Sequence, residues 1–244
     1  GEGCTFLAKK GKNYRHKPTK YATLNDIRSS YSLYLHTMNP SYHTTYFQEE
    51  ILIPALDRVV IGDPEMKRVC NVLPFRHSKS DLGTINFIPF YFGHHPTHSV
   101  MLLAYGKKLS RMFGRAIRDT MQKNALYGEL FPDAIIRQSA RANDEFETVS
   151  GGKFTAGGFD TGINGLGAQL VVIDDPHKNK DEVLSETILA GVRSIYTNVI
   201  RTRCEPDAAI VINSTRWTPN DLIGWRIEND GAIDHFSGEE YVAA

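Results

Sequence analysis

Short β-branched apolar runs alternate with stretches of helical period along most of this chain. Arg68-Val-Cys-Asn-Val-Leu73 reads as a first buried strand, and Ser99-Val-Met-Leu-Leu-Ala-Tyr105, Gln169-Leu-Val-Val-Ile173 and Ala208-Ala-Ile-Val-Ile212 repeat the pattern. Strands apolar on both faces belong inside a parallel sheet. After the first strand an apolar stretch has helical character to about His94, with Pro89 expected to kink or end it early. Leu109, Met112, Phe113, Ala116, Ile117, Thr120 and Met121 fall on one helical face with Arg and Lys outside. Leu184, Ile188, Val192, Ile195 and Val199 also recur at helical spacing, and a short helix is expected after Pro219. Residues 144–160, around Gly151-Gly152 and Gly157-Gly158, predict a β-hairpin or an excursion at the sheet edge. Alternation of this kind predicts an α/β fold with a mostly parallel central sheet flanked by helices. Residues 1–45, rich in Tyr, Ser, Thr and Asn, show no clear period and are expected to be an irregular segment.

Composition narrows the picture only slightly. The 244 residues are 41% hydrophobic and 23% charged, an ordinary globular balance that excludes global disorder. With 28 basic and 28 acidic residues, the whole chain carries no polyanion-binding signal. Its charge is uneven, however: Lys9, Lys10, Lys12, Arg15, Lys17 and Lys20 face only Glu2, a basic arm suited to phosphate or an acidic partner, or simply a solvated terminus. Three distant cysteines, Cys4, Cys70 and Cys204, exclude a disulfide scaffold and favour a reducing compartment. No apolar run reaches the roughly 20 residues of a membrane helix, and the N-terminus does not read as a signal peptide.

Three elements carry candidate chemistry. Lys79-Ser80 follows the first strand at the turn into a helix, filling the last two positions of a phosphate-binding GxxxxGK[ST] loop, with Leu73 and Ser78 where that pattern has glycine. Leu170-Val-Val-Ile-Asp174-Asp175 is an apolar strand ending in two carboxylates, expected beside the first strand. Asp174 would hold magnesium, and Asp175 would orient and deprotonate a water. Asp-Asp-Pro also suits a strand-end turn or a helix cap. Ile212-Asn-Ser-Thr-Arg216-Trp217 sets polar residues at the end of the fourth buried strand, and ligands of open parallel sheets bind at such carboxyl ends. His94, His95 and His98, with His77, lack the fourth ligand that a zinc site needs.

PFRHSKSD, GGFDTGINGLGAQLVVIDDPHKN, the helix ending IRTR, and AAIVINSTRWTPNDLIG occur in this order, and together they resemble the large terminase subunit of tailed bacteriophages over roughly residues 45–230. The resemblance implies a P-loop ATPase domain of the ASCE/RecA-like class with a small lid subdomain at 46–230. Residues 231–244 would start a linker toward a nuclease domain absent from this sequence. It implies ATP and Mg2+ as ligands, with hydrolysis driving double-stranded viral DNA into a procapsid. The implied partners are a portal protein, a small terminase subunit and further copies in a ring, a pentamer, with no membrane. The implied location is the host cytoplasm and, transiently, the procapsid portal.

Carried over residue by residue, Pro74, Phe75, Arg76, His77, Ser78, Lys79, Ser80 and Asp81 would form the nucleotide loop. Lys79 would bind the β/γ phosphates, Ser80 and Asp174 the magnesium, and Arg76 would grip the γ-phosphate. Gln48 would read adenine, Asp175 activate water, and Ser214, Thr215 and Arg216 couple hydrolysis to movement. Ser78 for glycine, Asp175 for a frequent Glu and Leu166 at a frequent arginine finger depart from the family. Glu182 or Glu186 could replace the base, and Arg137, Arg141, Arg201 or Arg203 the finger. Trp217 and Trp225 are expected to be core or subdomain contacts. A helicase-like DNA-dependent ATPase and a P-loop scaffold with degraded chemistry, acting as an interaction module, are the other readings.

Overall fold

A computed structural model of the chain describes residues 4–7, 22–137, 142–161, 167–230, 232–234 and 240–241, with side chains described throughout except at 4–7, 232–234 and 240–241. Its centre is one sheet built from β1 (Cys4–Leu7), β2 (Arg68–Val72), β3 (Ser99–Ala104), β4 (Glu145–Glu147), β5 (Lys153–Gly158), β6 (Ala168–Asp174), β7 (Cys204–Ser214), β8 (Ala232–Asp234) and β9 (Glu240–Tyr241). The spatial order is β4-β5-β3-β6-β7-β2-β1-β8-β9. All neighbours are parallel except β4 with β5 and β8 with β9. The six strands from β4 to β2 form the body of this mostly parallel α/β sheet.

Period-two alternation divides the apolar side chains of the central strands between two cores. Val69, Val100, Leu102, Leu170, Val172, Ala209 and Val211 face one, and Cys70, Met101, Leu103, Val171, Ile173, Ile210 and Ile212 face the other. The first core is covered by α1 (Leu24–Arg28), α2 (Tyr31–Met38), α3 (Ile53–Val60), α4 (Phe87–His94), α5 (Lys107–Lys123) and α6 (Ala125–Leu130). α7 (Lys180–Leu184), α8 (Glu186–Ile195), α9 (Arg201–Arg203) and α10 (Leu222–Asp230) follow, with α8 and α10 supplying the second core. Among the described residues no helix is long and apolar enough to cross a membrane.

Several expectations change at this level. The first strand and the strand ending in Asp174-Asp175 are not neighbours: β7 lies between β2 and β6, paired with each. The segment expected to be irregular carries α1 and α2, whose starts are capped by Thr23, in a reciprocal pair with Asp26, and by Ser30. Its Tyr31, Tyr34 and Leu35 are core residues. Beyond residue 230, β8 and β9 extend the sheet where a linker was expected. Pro89 sits in the first turn of α4, where no amide donor is needed, and the helix is instead interrupted upstream by a π-helical turn at Asp81–Ile85. In α8 and the π-helical turn after it, the buried stripe is Leu189, Val192, Tyr196 and Ile200, while Leu184 and Ile188 are exposed. Burying the large Tyr196 ring against Trp225 turns that face inward. Cys70 is disulfide-bonded, contrary to the expectation of reduced, separate thiols.

Gly114 marks the tightest packing of α5. A Cβ there would fall on the Asn143 carbonyl oxygen and against the Phe154 ring. Because the blocking atom is backbone, Gly114→Ala is expected to destabilise the protein by about 2 kcal/mol despite alanine's helix preference, a fall in Tm of roughly 5 °C measurable by scanning calorimetry.

Candidate functional site

β2 ends at Val72, and the chain turns through Leu73–Ser78 before helical geometry resumes at Lys79. Two loop residues other than glycine occupy the left-handed region, Arg76 at φ 61° and Ser78 at φ 56°. Alternating left-handed and ordinary backbone turns successive N–H groups toward one side, the arrangement of an anion-binding nest. Ser78 thus takes the conformation that glycine takes freely, at a cost of about 1–2 kcal/mol for a residue with Cβ. Pro74, Phe75, Arg76 and His77 are exposed, and Asp81 opens the π-helical turn.

The loop is braced from both sides. Gln48 is 3% exposed, donates from Nε2 to the His77 carbonyl at 3.0 Å and accepts the Thr45 N–H at 2.7 Å. Its amide is therefore committed to holding the loop. The adjacent Glu49 accepts from Ser32 Oγ at 2.8 Å, His36 Nε2 at 2.9 Å and Thr44 Oγ1 at 2.5 Å. Burial pushes its carboxyl up, yet these hydrogen bonds and the His36 charge outweigh it and bring the pKa down to about 2. On the other side, Thr215 Oγ1 donates to the Leu73 carbonyl at 3.0 Å, and the Phe75 ring meets Trp217 edge-on at 5.0 Å. Trp217 is thus a contact of the loop itself.

The two carboxylates converge on the helix that leaves the loop. Asp174, fully buried, accepts from Ser80 Oγ at 2.8 Å and from Thr84 Oγ1. Burial pushes its pKa up to about 7, reinforced by Asp175 and opposed by the hydroxyls and Lys79. Lys79, 7% exposed, sits over the Phe75 ring and places Nζ 2.8 Å from Asp175 Oδ2. Asp175 is left-handed at φ 45°, which the aspartate side chain tolerates better than most, and its buried Oδ1 has no hydrogen-bond partner. Its backbone is pinned on both sides: its N–H donates to the Asn213 carbonyl at 2.8 Å, and its carbonyl accepts the Tyr105 N–H at 3.1 Å.

Asn71 and Thr84 escaped the sequence reading, and Asn213 was read only as one of the polar residues ending its strand. Asn71 Nδ2 donates to Asn213 Oδ1 at 2.7 Å, and Asn213 Nδ2 donates to the Gly83 carbonyl at 2.8 Å and Thr84 Oγ1 at 2.9 Å. A buried polar chain therefore runs from β2 through β7 to Asp174 on β6, with Thr84 as its last link. The available signal was an asparagine inside each of two otherwise apolar strands, since buried amides demand partners. Gly83 is required here because a Cβ would land on the Asn213 amide.

Beyond Thr215, Arg216 Nε pairs with Asp221 at 3.0 Å, and Asp221 also accepts the N–H groups of Trp217, Thr218 and Gly224. Ser214 Oγ donates to the Thr215 carbonyl at 3.1 Å. Glu182 accepts the Lys178 N–H at 2.7 Å, and the exposed Glu186 pairs with Arg193 at 3.0 Å, so both are engaged within their own segment. Arg137 pairs with Glu147 at 3.4 Å. Leu166, Arg141 and the basic arm from Lys9 to Lys20 lie outside the described residues. His95 and His98 stack at 4.4 Å, with His95 Nε2 donating to the Val60 carbonyl at 2.6 Å, near the amino ends of the strands and remote from the loop. Among the described residues no group of three or more His, Cys, Asp or Glu converges. One or two carboxylates beside a hydroxyl and a phosphate nest suit a magnesium ion that takes its other ligands from phosphates and water.

No protein-family model and no curated protein matches the chain.

Two outcomes test this construction. Glu49 has its folded pKa below the unfolded value of 4.5, so it contributes stability at neutral pH that is lost as pH falls toward about 2. Glu49→Gln should cost about 2–3 kcal/mol at pH 7, and denaturation curves should show the gap to the parent protein closing below pH 4.5. Ser78→Gly should raise the denaturation midpoint by the equivalent of about 1 kcal/mol, and a lower midpoint would show that the serine is unstrained.

Proposed function

We propose that the chain is a P-loop ATPase of the ASCE/RecA-like class, with ATP on the loop from Pro74 to Asp81. The observation that carries this reading is the convergence of Lys79 on Asp175 and of Ser80 on Asp174 at the carboxyl ends of parallel strands. A lysine and a hydroxyl leaving a nest, opposite paired carboxylates, supply what phosphoryl transfer requires: charge stabilisation and an oriented water.

Lys79 and the left-handed Arg76 supply positive charge at the nest, and the loop N–H groups add oriented dipoles. Ser80 and Asp174 would hold magnesium, whose chemistry is to draw charge from phosphate oxygens. Burial raises the Asp174 pKa, and a bound magnesium would favour its ionised form. Asp175 is the base: Oδ2 is held by Lys79, and the unpartnered Oδ1 is an acceptor suited to a water proton. A phosphate sharing the Lys79 ammonium would loosen its hold on Asp175 and free Oδ2 as well. Thr215 touches the first loop carbonyl, and Arg216 leads through Asp221 into α10, so this segment is the proposed lid that follows the loop.

Following the resemblance to large terminase subunits, we assign this ATPase to translocation of double-stranded viral DNA into a procapsid. It would act as a ring, a pentamer, with portal protein and small terminase subunit in the host cytoplasm. A second reading, binding without turnover, is favoured by the same Lys79–Asp175 pair, which occupies the base.

Phosphate release from Mg-ATP across a range of protein concentration tests both. Lys79→Ala should weaken ATP binding roughly 10–100-fold. Asp175→Asn, which keeps shape and left-handed tolerance, should leave affinity near the parent value and lower turnover about 10²–10⁴-fold. Turnover rising faster than linearly with protein would support the ring. Binding without release in the parent protein selects the second reading, and an unchanged affinity in Lys79→Ala removes the nucleotide loop.

A further inference from the structure

α5 carries Lys107, Lys108, Arg111, Arg115, Arg118 and Lys123 against a single acid, Asp119. Among the described residues two further carboxylates lie beside it: Asp144, at 3.7 Å from Lys107 and 3.6 Å from Arg111, and Asp160, which accepts the Lys107 N–H. Asp119 is shared by Arg115 at 3.9 Å, Arg118 at 3.0 Å and Lys123 at 3.0 Å. Six basic groups against Asp119, Asp144 and Asp160 leave a surplus of three positive charges at this helix, in a chain whose net charge is zero. Lys108, Arg111, Met112 and Arg115 follow i, i+3, i+4, i+7 spacing and are all exposed, Arg111 at 52% and Arg115 at 69%. The opposite face, with Phe113, Ile117 and Met121, is buried, so the stripe's outward direction is fixed by the core.

We infer that this exposed stripe of α5 binds the phosphate backbone of duplex DNA. Helix geometry spreads the stripe from Lys108 to Arg115 over about 10 Å, the axial length of roughly three base pairs. Two alternatives fit less well: the stripe has no aromatic side chain to stack unpaired bases, and its one apolar member, Met112, is too little to anchor a helix in a bilayer. Phosphate contact of this kind positions DNA without reading sequence.

The stripe is also wired to the candidate site. Tyr105, two residues before α5, donates its N–H to the Asp175 carbonyl at 3.1 Å, and the Lys107 N–H donates to Asp160 at 3.1 Å. DNA held on α5 therefore bears on the backbone of the proposed base, which predicts that DNA accelerates phosphate release. This coupling rests on the ATPase reading, whereas the DNA contact itself does not.

The test is fluorescence anisotropy of a labelled 30-base-pair duplex against the full chain, without nucleotide, over a salt series. Lys108→Gln/Arg111→Gln/Arg115→Gln should weaken binding at least about tenfold at low salt and make the slope of log K against log salt shallower by about three. Lys180→Gln/Arg201→Gln, exposed cations elsewhere, should bind like the parent protein. A triple variant that keeps parent affinity and slope, or a parent protein that binds no duplex, overturns the proposal. Equal thermal midpoints for all three proteins exclude misfolding as the cause of a loss, and the single variant Arg115→Gln, expected to lose about one unit of slope, replaces a triple variant that fails to fold. In a parallel assay, duplex should raise phosphate release in the parent but not in the triple variant, with basal release equal. DNA binding that depends on α5 in a protein that binds no ATP would remove the ATPase reading and leave this surface standing.

Discussion

A carboxylate with no solvent exposure at the end of β6 sets the terms for everything around it. Burying Asp174 as an anion is costly unless hydrogen bonds or a cation compensate. Ser80 and Thr84 supply the first, from one turn of helix that the loop must therefore place within reach. Thr84 is in turn held by Asn213, which is oriented by Asn71, which requires β7 to lie between β2 and β6 in register. Gly83 is glycine because that amide fills the space of a Cβ. Sheet order, loop exit and one small residue are consequences of a single charge.

The loop itself is over-determined, which is how strained backbone survives. Gln48 holds it from the N-terminal helices and Thr215 from the strand beside it, while Phe75 and Trp217 close over Lys79 from outside. Each brace belongs to a different part of the chain. A local change at the loop is therefore felt by three elements at once.

Strand existence was legible because runs such as Gln169–Ile173 are too short and too apolar to be anything else. Their spatial order was not, since chain order says nothing about which strand is inserted between two others, and β7 was missed there. Lys79, Asp174 and Asp175 were legible as strand-end chemistry, whereas Asn71 and Thr84 were hidden by the apolar pattern around them and Asn213 was read only as part of a polar strand end. The face of α8 was misjudged because two stripes of helical period overlap, and only packing of Tyr196 against Trp225 decides between them. α1 and α2 are too short for a period to emerge, and their evidence lay in caps, Thr23 with Asp26 and Ser30. Gln48 was noticed for its position, but its bond to the His77 carbonyl could not be inferred from spacing alone.

The placement of β7 also governs the order of assembly. β2 and β6 are complete by residue 174, but the strand that joins them begins at Cys204. Until it is synthesised and inserted, each presents an open hydrogen-bonding edge with apolar residues on both faces, the kind of surface that pairs with other chains. Asn71 meets Asn213 across 142 positions, so the contact that joins these strands is strongly non-local, and such contacts fold slowly. The nascent chain is thus most vulnerable to aggregation just before the strand that completes the site emerges.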